Sequence, residues 1–353
     1  MDRDLDLLYS VNRDQSDLEF DLNIPRRYIR DMDNPLEKFT EADFRKRFRF
    51  SKEIVQNVLL PLVGHQREQI TNRGLPVPLI IGLLLTLQFY GSGSLRIICG
   101  ELKGFHQSTV SRVITKVTRS IYEQSRNYIK FPENLNTVQT QFQTIRNFPN
   151  VIGCIGCAQI PIMSPGGPNA ELFRNGKRSF SLNVQIVAGP DLEIYDIVAT
   201  NPGSYRNDHV FNKSAVKTRF EKKQLPGYLL GDSGYPSLTY LLTPFRDPCT
   251  NEEKRYNEAH AQIRNIVDRT FGVLRHRFSC LRRLLRHKHE TICCIIVACA
   301  VLHNISIAHR EVVEPDGEDG VEDLAAAASD ATTDSQSGQL VRATILRNHF
   351  SQL

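Results

Sequence analysis

The chain of 353 residues has no run of about 18 consecutive residues that are apolar throughout, which argues against a membrane-spanning helix. Its first residues, MDRDLDLLYS, are charged where a secretory signal would place an apolar core. Both absences predict a soluble, intracellular protein with no membrane partner. Cysteine is scarce, eight in all, and Cys293, Cys294 and Cys299 sit among Ile, Val and Ala. A disulfide framework is excluded on those grounds and reduced thiols are expected. Cys154 and Cys157 make a CxxC pair, but no second close pair with ligand spacing follows. They read as small core hydrophobes, with half a zinc site as the alternative. Acidic residues are also missing from 151–170, a stretch that opens with the buried-strand pattern VIGCIGCAQIPI.

What is present points to two domains and a feasible core. The net charge of +5 is unevenly spread: Lys254 to Lys288 is crowded with Lys and Arg, and Glu314 to Asp330 is acidic. That asymmetry permits a polyanionic partner.

Residues 1–38 are charged and lack sustained periodicity, so they read as an arm, with a short element at Asp21 to Arg30. From Thr40, paired with Asp43 as a cap, Phe44, Phe48, Ile54, Val55, Val58 and Leu59 recur at helical spacing. Pro78 to Tyr90 is a strongly apolar helix. Leu95 to Leu102, a glycine at 104 and the helix carrying Val110, Val113, Ile114 and Val117 then suggest a helix-turn-helix within an all-α domain at 39–132. In that motif the second helix enters the major groove, so Ser108, Thr109, Ser111, Arg112, Thr115, Lys116 and Arg119 are the candidate DNA-binding residues. A plain helical bundle with a solvated polar face is the other reading.

Beyond Val151 the period changes to two. SFSLNVQIVA, the turn Gly189-Pro190-Asp191 and LEIYDIVAT predict a hairpin beside the opening strand. Tyr228 to Leu230 predicts a short buried strand that ends at Asp232, the place where open α/β folds put ligands. Helices follow at Tyr256 to Phe278 and Thr291 to His309.

The ordered motifs NPGSYRNDHVF, LLGDSGYP, YNEAHAQIRNIVDRTFGVLRHRF and ACAVLHN, behind a helical domain with STVSRVI, resemble the PIF/Harbinger transposases and the host nuclease-like proteins derived from them. The resemblance runs from about Thr40 to His309. It implies an α/β fold: an RNase H-like mixed sheet flanked by helices, the DDE nuclease domain at 135–310, preceded by the helix-turn-helix domain. It also implies metal chemistry with Mg²⁺ or Mn²⁺, two ions about 3.5–4 Å apart held by three converging carboxylates.

Carried over position by position, the three acidic sites fall on Gly156, Asp232 and Asp268. Gly156 stands where the first Asp belongs, and Gln159 where a His is common. Asp268 replaces a Glu and is roughly 1.5 Å shorter in reach, whereas a functional constellation tolerates about 0.5 Å. The catalytic and metal candidates are therefore Asp232, Asp268 and Asp208 with the vacated position Gly156. Asp208 matches a family acidic position, with a helix cap before Val210 to Val216 as its structural alternative. An ion pair with Arg264, one turn back on the exposed face, is the alternative for Asp268.

Arg275, His276, Arg277, Arg282, Arg283, Arg286, His287 and Lys288 flank this site. Of them Arg275, Arg277, Arg282 and Arg283 are the foremost phosphate-binding candidates. Residues 311–338 read as a disordered acidic linker, and 339–353 as a C-terminal helix that docks back on the domain. The resemblance further implies a Myb/SANT-like trihelix partner and a nuclear location, with the cytoplasm second. Two functions stay open: a domesticated DNA- or partner-binding protein that has lost cleavage, and an active metal-dependent endonuclease with a rearranged site.

Overall fold

The computed structural model describes residues 34–64, 77–94, 106–311 and 334–351. Most of the arm therefore lies outside the described residues, as does Leu95 to Leu102, the first helix of the suggested helix-turn-helix. Within the arm's described residues, Asn34 caps a short helix, Pro35–Lys38, whose Pro35 is buried. Thr40 caps Glu41–Phe48 by accepting from the Asp43 amide.

Helix α1, Leu79–Ser92, is buried all round from Gly82 to Gly91, which suits a segment with no polar face. Gly93 ends it in the left-handed conformation, φ 67°, where glycine carries no Cβ penalty. Helix α2, Gln107–Glu123, is amphipathic and buries Val110, Ile114, Val117 and Ile121. It approaches α1 at Gly82, where a Cβ would stand 3.2 Å from Val113 Cγ1. The Tyr90 hydroxyl meets Thr118 Oγ1 at 2.7 Å in the same interface. Helix α3, Leu135–Arg146, is capped by Asn134 and buries Val138 and Phe142.

The sheet is mixed, in the order β3-β2-β1-β4-β5. Strand β1, Val151–Pro161, pairs antiparallel with β2, Ser181–Ala188, and β2 pairs antiparallel with β3, Ile194–Pro202. On its other side β1 runs parallel to β4, Tyr228–Leu230, which runs parallel to β5, Leu241–Leu242. Two residues carry too little pattern to announce β5 beforehand.

Helix α4, Asn251–Arg277, starts five residues before the apolar periodicity does, because Thr250 and Glu253 form a capping box. Its Ile263, Val267 and Leu274 are buried. It lies on the face of β1 that carries Cys154 and Gly156: the Cys154 thiol donates to Ile263 O at 3.2 Å, and Val267 covers Gly156. The opposite face of β1 and β2 meets Tyr235 and the helix Asn207–Asn212. Helices thus cover both faces.

Helix α5, His289–Ala308, is long and apolar. Its most apolar 18 residues average a hydropathy of 2.2, enough by length and composition to cross a membrane, and 72% of that window is buried in the fold. It is a core helix. Its C-terminal half explains the LHN motif. His303 Nε2 donates to Leu192 O at 2.8 Å, and Asn304 bonds both Ile194 N and Ile194 O while donating to Tyr128 O. Burial lowers His303 to about 4, so the ring is a neutral tie between α5 and the β2–β3 turn.

The tail differs from the expected boundaries. Glu311 is packed, its side chain meeting Arg45 and Ser51, and Asp334 accepts from Ser237 N at 3.0 Å. Helix α6 begins at Gln336 and runs to Ile345, followed by a π-helical turn, Leu346–Phe350. Within the suggested linker, only 312–333 lies outside the described residues. Phe350 packs against Phe148 and Tyr256, with ring centroids 5.5 Å from each. Buried Arg342 bonds Asp334 and the carbonyls of Thr243 and Pro244.

Candidate functional site

β1 and β4 are parallel neighbours, so the chain leaving β4 emerges beside the middle of β1. Asp232 is the second residue past β4. Its Oδ1 accepts from Gly234 N at 2.8 Å, and its carbonyl accepts from Tyr235 N, which closes a tight turn and fixes the carboxylate. Asp268 comes from α4, one residue beyond Val267. Arg264, one helical turn earlier, holds Asp268 with both guanidinium nitrogens, Nη1 to Oδ2 at 2.6 Å and Nη2 to Oδ1 at 3.1 Å. The same Nη2 lies 3.5 Å from Asp232 Oδ2. Asp232 and Asp268 therefore do converge, with a guanidinium bound to both.

The three side chains are only 25–32% exposed. Burial raises the Asp268 carboxyl above the usual aspartate value; Arg264 opposes that and the charge on Asp232 reinforces it. The ion pair weighed for Asp268 is thus half-buried and bidentate instead of solvated.

Gly156, the position that the resemblance assigns to the first acidic residue, lies on β1 under Val267, and its space is taken. A Cβ there would stand 3.0 Å from Val267 Cγ1 and 3.3 Å from Cγ2. Asp208 is engaged elsewhere: it accepts from His209 N at 2.8 Å and pairs with Arg206 at 3.5 Å, and the charges acting on Asp268 are Arg264 and Asp232. Asp208 lies in the first turn of the helix Asn207–Asn212, whose N-cap position is Arg206, so it is not the cap suggested for it, and the single helix expected at Val210 to Val216 is two, the second being Ala215–Glu221 capped by Ser214. Gln159 is a structural polar group that accepts from Ser181 Oγ at 2.6 Å and donates to Gly203 O at 3.3 Å.

Cys154 and Cys157 are three residues apart on a strand and so face opposite sides of the sheet. One thiol meets Ile263 O and the other the Tyr235 hydroxyl at 3.2 Å. Burial raises both thiols far above their ordinary value. They cannot chelate one zinc ion. Among the described residues no group of three or more His, Cys, Asp or Glu could hold a metal ion. Two divalent ions need three converging carboxylates. With two carboxylates tied to Arg264 and Val267 on Gly156, these residues do not fit a two-metal centre.

The basic residues divide. Arg277 is 3% exposed, donates to Arg49 O at 2.7 Å and to Glu311 O, and lies over the Phe50 ring; burial lowers it to about 10. It joins the N-terminal helices to α4 and is no phosphate ligand, which corrects the sequence reading. Arg275 is half-buried and donates to Gln159 O at 2.7 Å. Arg282 donates to Ser279 Oγ at 3.3 Å. Arg283, Arg286 and Lys288 are exposed.

On α2, Ser108, Arg112, Thr115, Lys116 and Arg119 are exposed, and Thr109 and Ser111 half-buried. The apolar stripe on the other side of α2 turns this face outward. Arg119 acts electrostatically on Cys294 of α5, as does Glu290, and the loop before α5 packs on the end of α1 through Arg283 against Gly93 and His287 against Phe89. Both basic groups therefore border the same layer of helices.

A mixed five-stranded sheet between helices, with one acidic residue just past the strand beside β1 and another on the helix that covers β1, is the framework of an RNase H-like DDE nuclease domain. The comparisons with known proteins agree. The family described as DDE superfamily endonuclease matches residues 155–304. Nuclease-like HARBI1 of Bos taurus is 31% identical over 83% of this chain and 85% of its own length, and that of Homo sapiens is 30% identical with the same coverage. Protein ALP1-like of Arabidopsis thaliana is 28% identical over 67% of this chain and 62% of its own length. No solved structure matches. This chain belongs to the Harbinger-derived nuclease family of the DDE superfamily.

Proposed function

We propose that this protein is a Harbinger-derived nuclease-like protein of the nucleus, present also in the cytoplasm, that binds DNA and has lost cleavage. The observation that carries the loss is Gly156 under Val267, which leaves two carboxylates where the chemistry of two hard cations needs three. DNA binding rests on the outward face of α2, with α2 as the second helix of a helix-turn-helix and Arg112, Lys116 and Arg119 at phosphates. Arg283, Arg286 and Lys288 extend the contact. A Myb/SANT-like trihelix partner would add sequence reading and nuclear import.

The test is fluorescence anisotropy of the full chain on duplex DNA across a salt series, run beside a nicking assay with Mg²⁺ and Mn²⁺. Replacing Arg112, Lys116 and Arg119 together by Ala should weaken binding and lower the salt slope by about 2–3. No nicking should occur. Unchanged affinity and slope would remove the α2 assignment. Metal-dependent nicking abolished by Asp232→Ala would establish the active endonuclease instead.

A further inference from the structure

We propose that Arg264 is the resident cation of this site: its guanidinium takes the place between Asp232 and Asp268 that a divalent ion would need, and closes a latent cation site from within. The inference rests on the reading above, that the carboxylate set no longer serves cleavage.

The geometry sets Arg264 apart from an ordinary pair on a helix surface. An exposed i,i+4 pair is held by two flexible side chains in water and contributes little. Arg264 instead bridges two elements, α4 and the turn after β4, with contacts of 2.6 and 3.1 Å to Asp268 and 3.5 Å to Asp232. Gly234 N occupies the remaining oxygen of Asp232 at 2.8 Å. Each of the four carboxylate oxygens thus has a donor or cation beside it, so a metal ion must compete with Arg264 for them.

Charge favours the same assignment. Two carboxylates and one guanidinium leave one net negative charge, whereas the pair without Arg264 would carry two, half-buried and mutually repelling. The planar guanidinium matches carboxylates with two parallel bonds, and a dication must break those bonds and shed water before it can bind. Mg²⁺ in particular dehydrates reluctantly. Removing Arg264 should therefore uncover two oxygen ligands of the kind that hard cations take.

The experiment titrates Mn²⁺ into the full chain by calorimetry and by electron paramagnetic resonance, in metal-free buffer and without DNA. The probe is Mn²⁺ alone, on wild type, Arg264→Ala, Arg264→Gln and Arg264→Ala with Asp232→Asn. Wild type should show no saturable binding below millimolar Mn²⁺. Both single variants should bind one ion at least tenfold more tightly, and the double variant should lose it. Melting curves give a second readout, since an ion that binds only the folded state raises its melting temperature: Mn²⁺ should raise that of the single variants and leave wild type unmoved. Should Arg264→Ala fail to fold, Arg264→Gln keeps the bulk and a hydrogen-bond donor.

Submillimolar binding by wild type, or no gain in a folded variant, overturns the proposal. DNA anisotropy on the same samples separates it from the functional reading. Failure of the Mn²⁺ result with intact DNA binding removes only the role of Arg264.

Discussion

Val267 lies on Gly156: the methyl Cγ1 of the helix residue stands 3.0 Å from where a Cβ on the strand residue would be. Such a distance is below ordinary van der Waals contact. The position that the family resemblance assigns to the first acidic residue is thus a point of close helix-to-sheet packing.

Gly156→Asp should therefore destabilise the fold. Overpacking costs about 1–3 kcal/mol, and a carboxylate buried without a partner adds more. Urea unfolding should show a loss of roughly 2–4 kcal/mol, partly recovered when Val267→Ala is added. A fold as stable as wild type would mean that α4 shifts freely on β1.

Arg277→Ala should lower stability by about 2–4 kcal/mol, because its charge-assisted bonds to Arg49 O and Glu311 O are buried. DNA affinity and salt slope of the folded protein should not change. A reduced slope would return Arg277 to the phosphate contacts.

The tail separates two contributions. Replacing 312–333, acidic and poor in aromatics, by a Gly/Ser linker of equal length should leave the melting temperature nearly unchanged. Phe350→Ala should cost about 3–5 kcal/mol, as a phenylalanine 2% exposed between Phe148 and Tyr256 leaves a cavity. Calorimetric melting of both proteins decides this.

Asp196 gives the stability a pH dependence. Burial raises its carboxyl to about 6, with Arg219 pulling the other way, and its Oδ2 is buried without a hydrogen-bond partner. Since the folded value lies above the unfolded one, the folded state holds the extra proton between about pH 4 and 6. Stability from this group is present at low pH and falls as pH rises through that window. Asp196→Asn should be more stable than wild type at pH 7 by about 1–3 kcal/mol, and equal to it below pH 4. Equal stability of the two proteins at both pH values would remove the burial cost assigned here.

Much of this was legible along the chain, where the signal is local. Alternation announced β1, β2 and β3, since successive side chains must choose opposite faces of a sheet. The stripe Val110, Ile114 and Val117 announced the buried side of α2 and with it the exposed one. The i,i+4 spacing announced that Arg264 could reach Asp268. The motifs carried the family. Helix α3 was legible too, through Asn134, Leu135, Val138 and Phe142 at helical spacing, though it was not anticipated.

Tertiary structure decided the rest, because it depends on which surfaces meet. Only the packing of α4 on β1 sets Val267 on Gly156, and only the parallel pairing of β1 with β4 carries Asp232 to Arg264, making an ordinary helix pair a bridge between two elements. Arg277 and Arg283, alike in sequence and six positions apart, part company for the same reason: one turns into the junction with Arg49 and Glu311, the other rests its stem on the end of α1 and stays exposed. The hydrophobic period tells which side of a helix is buried, but it cannot tell what lies against that side, and at this site the neighbour determines the chemistry.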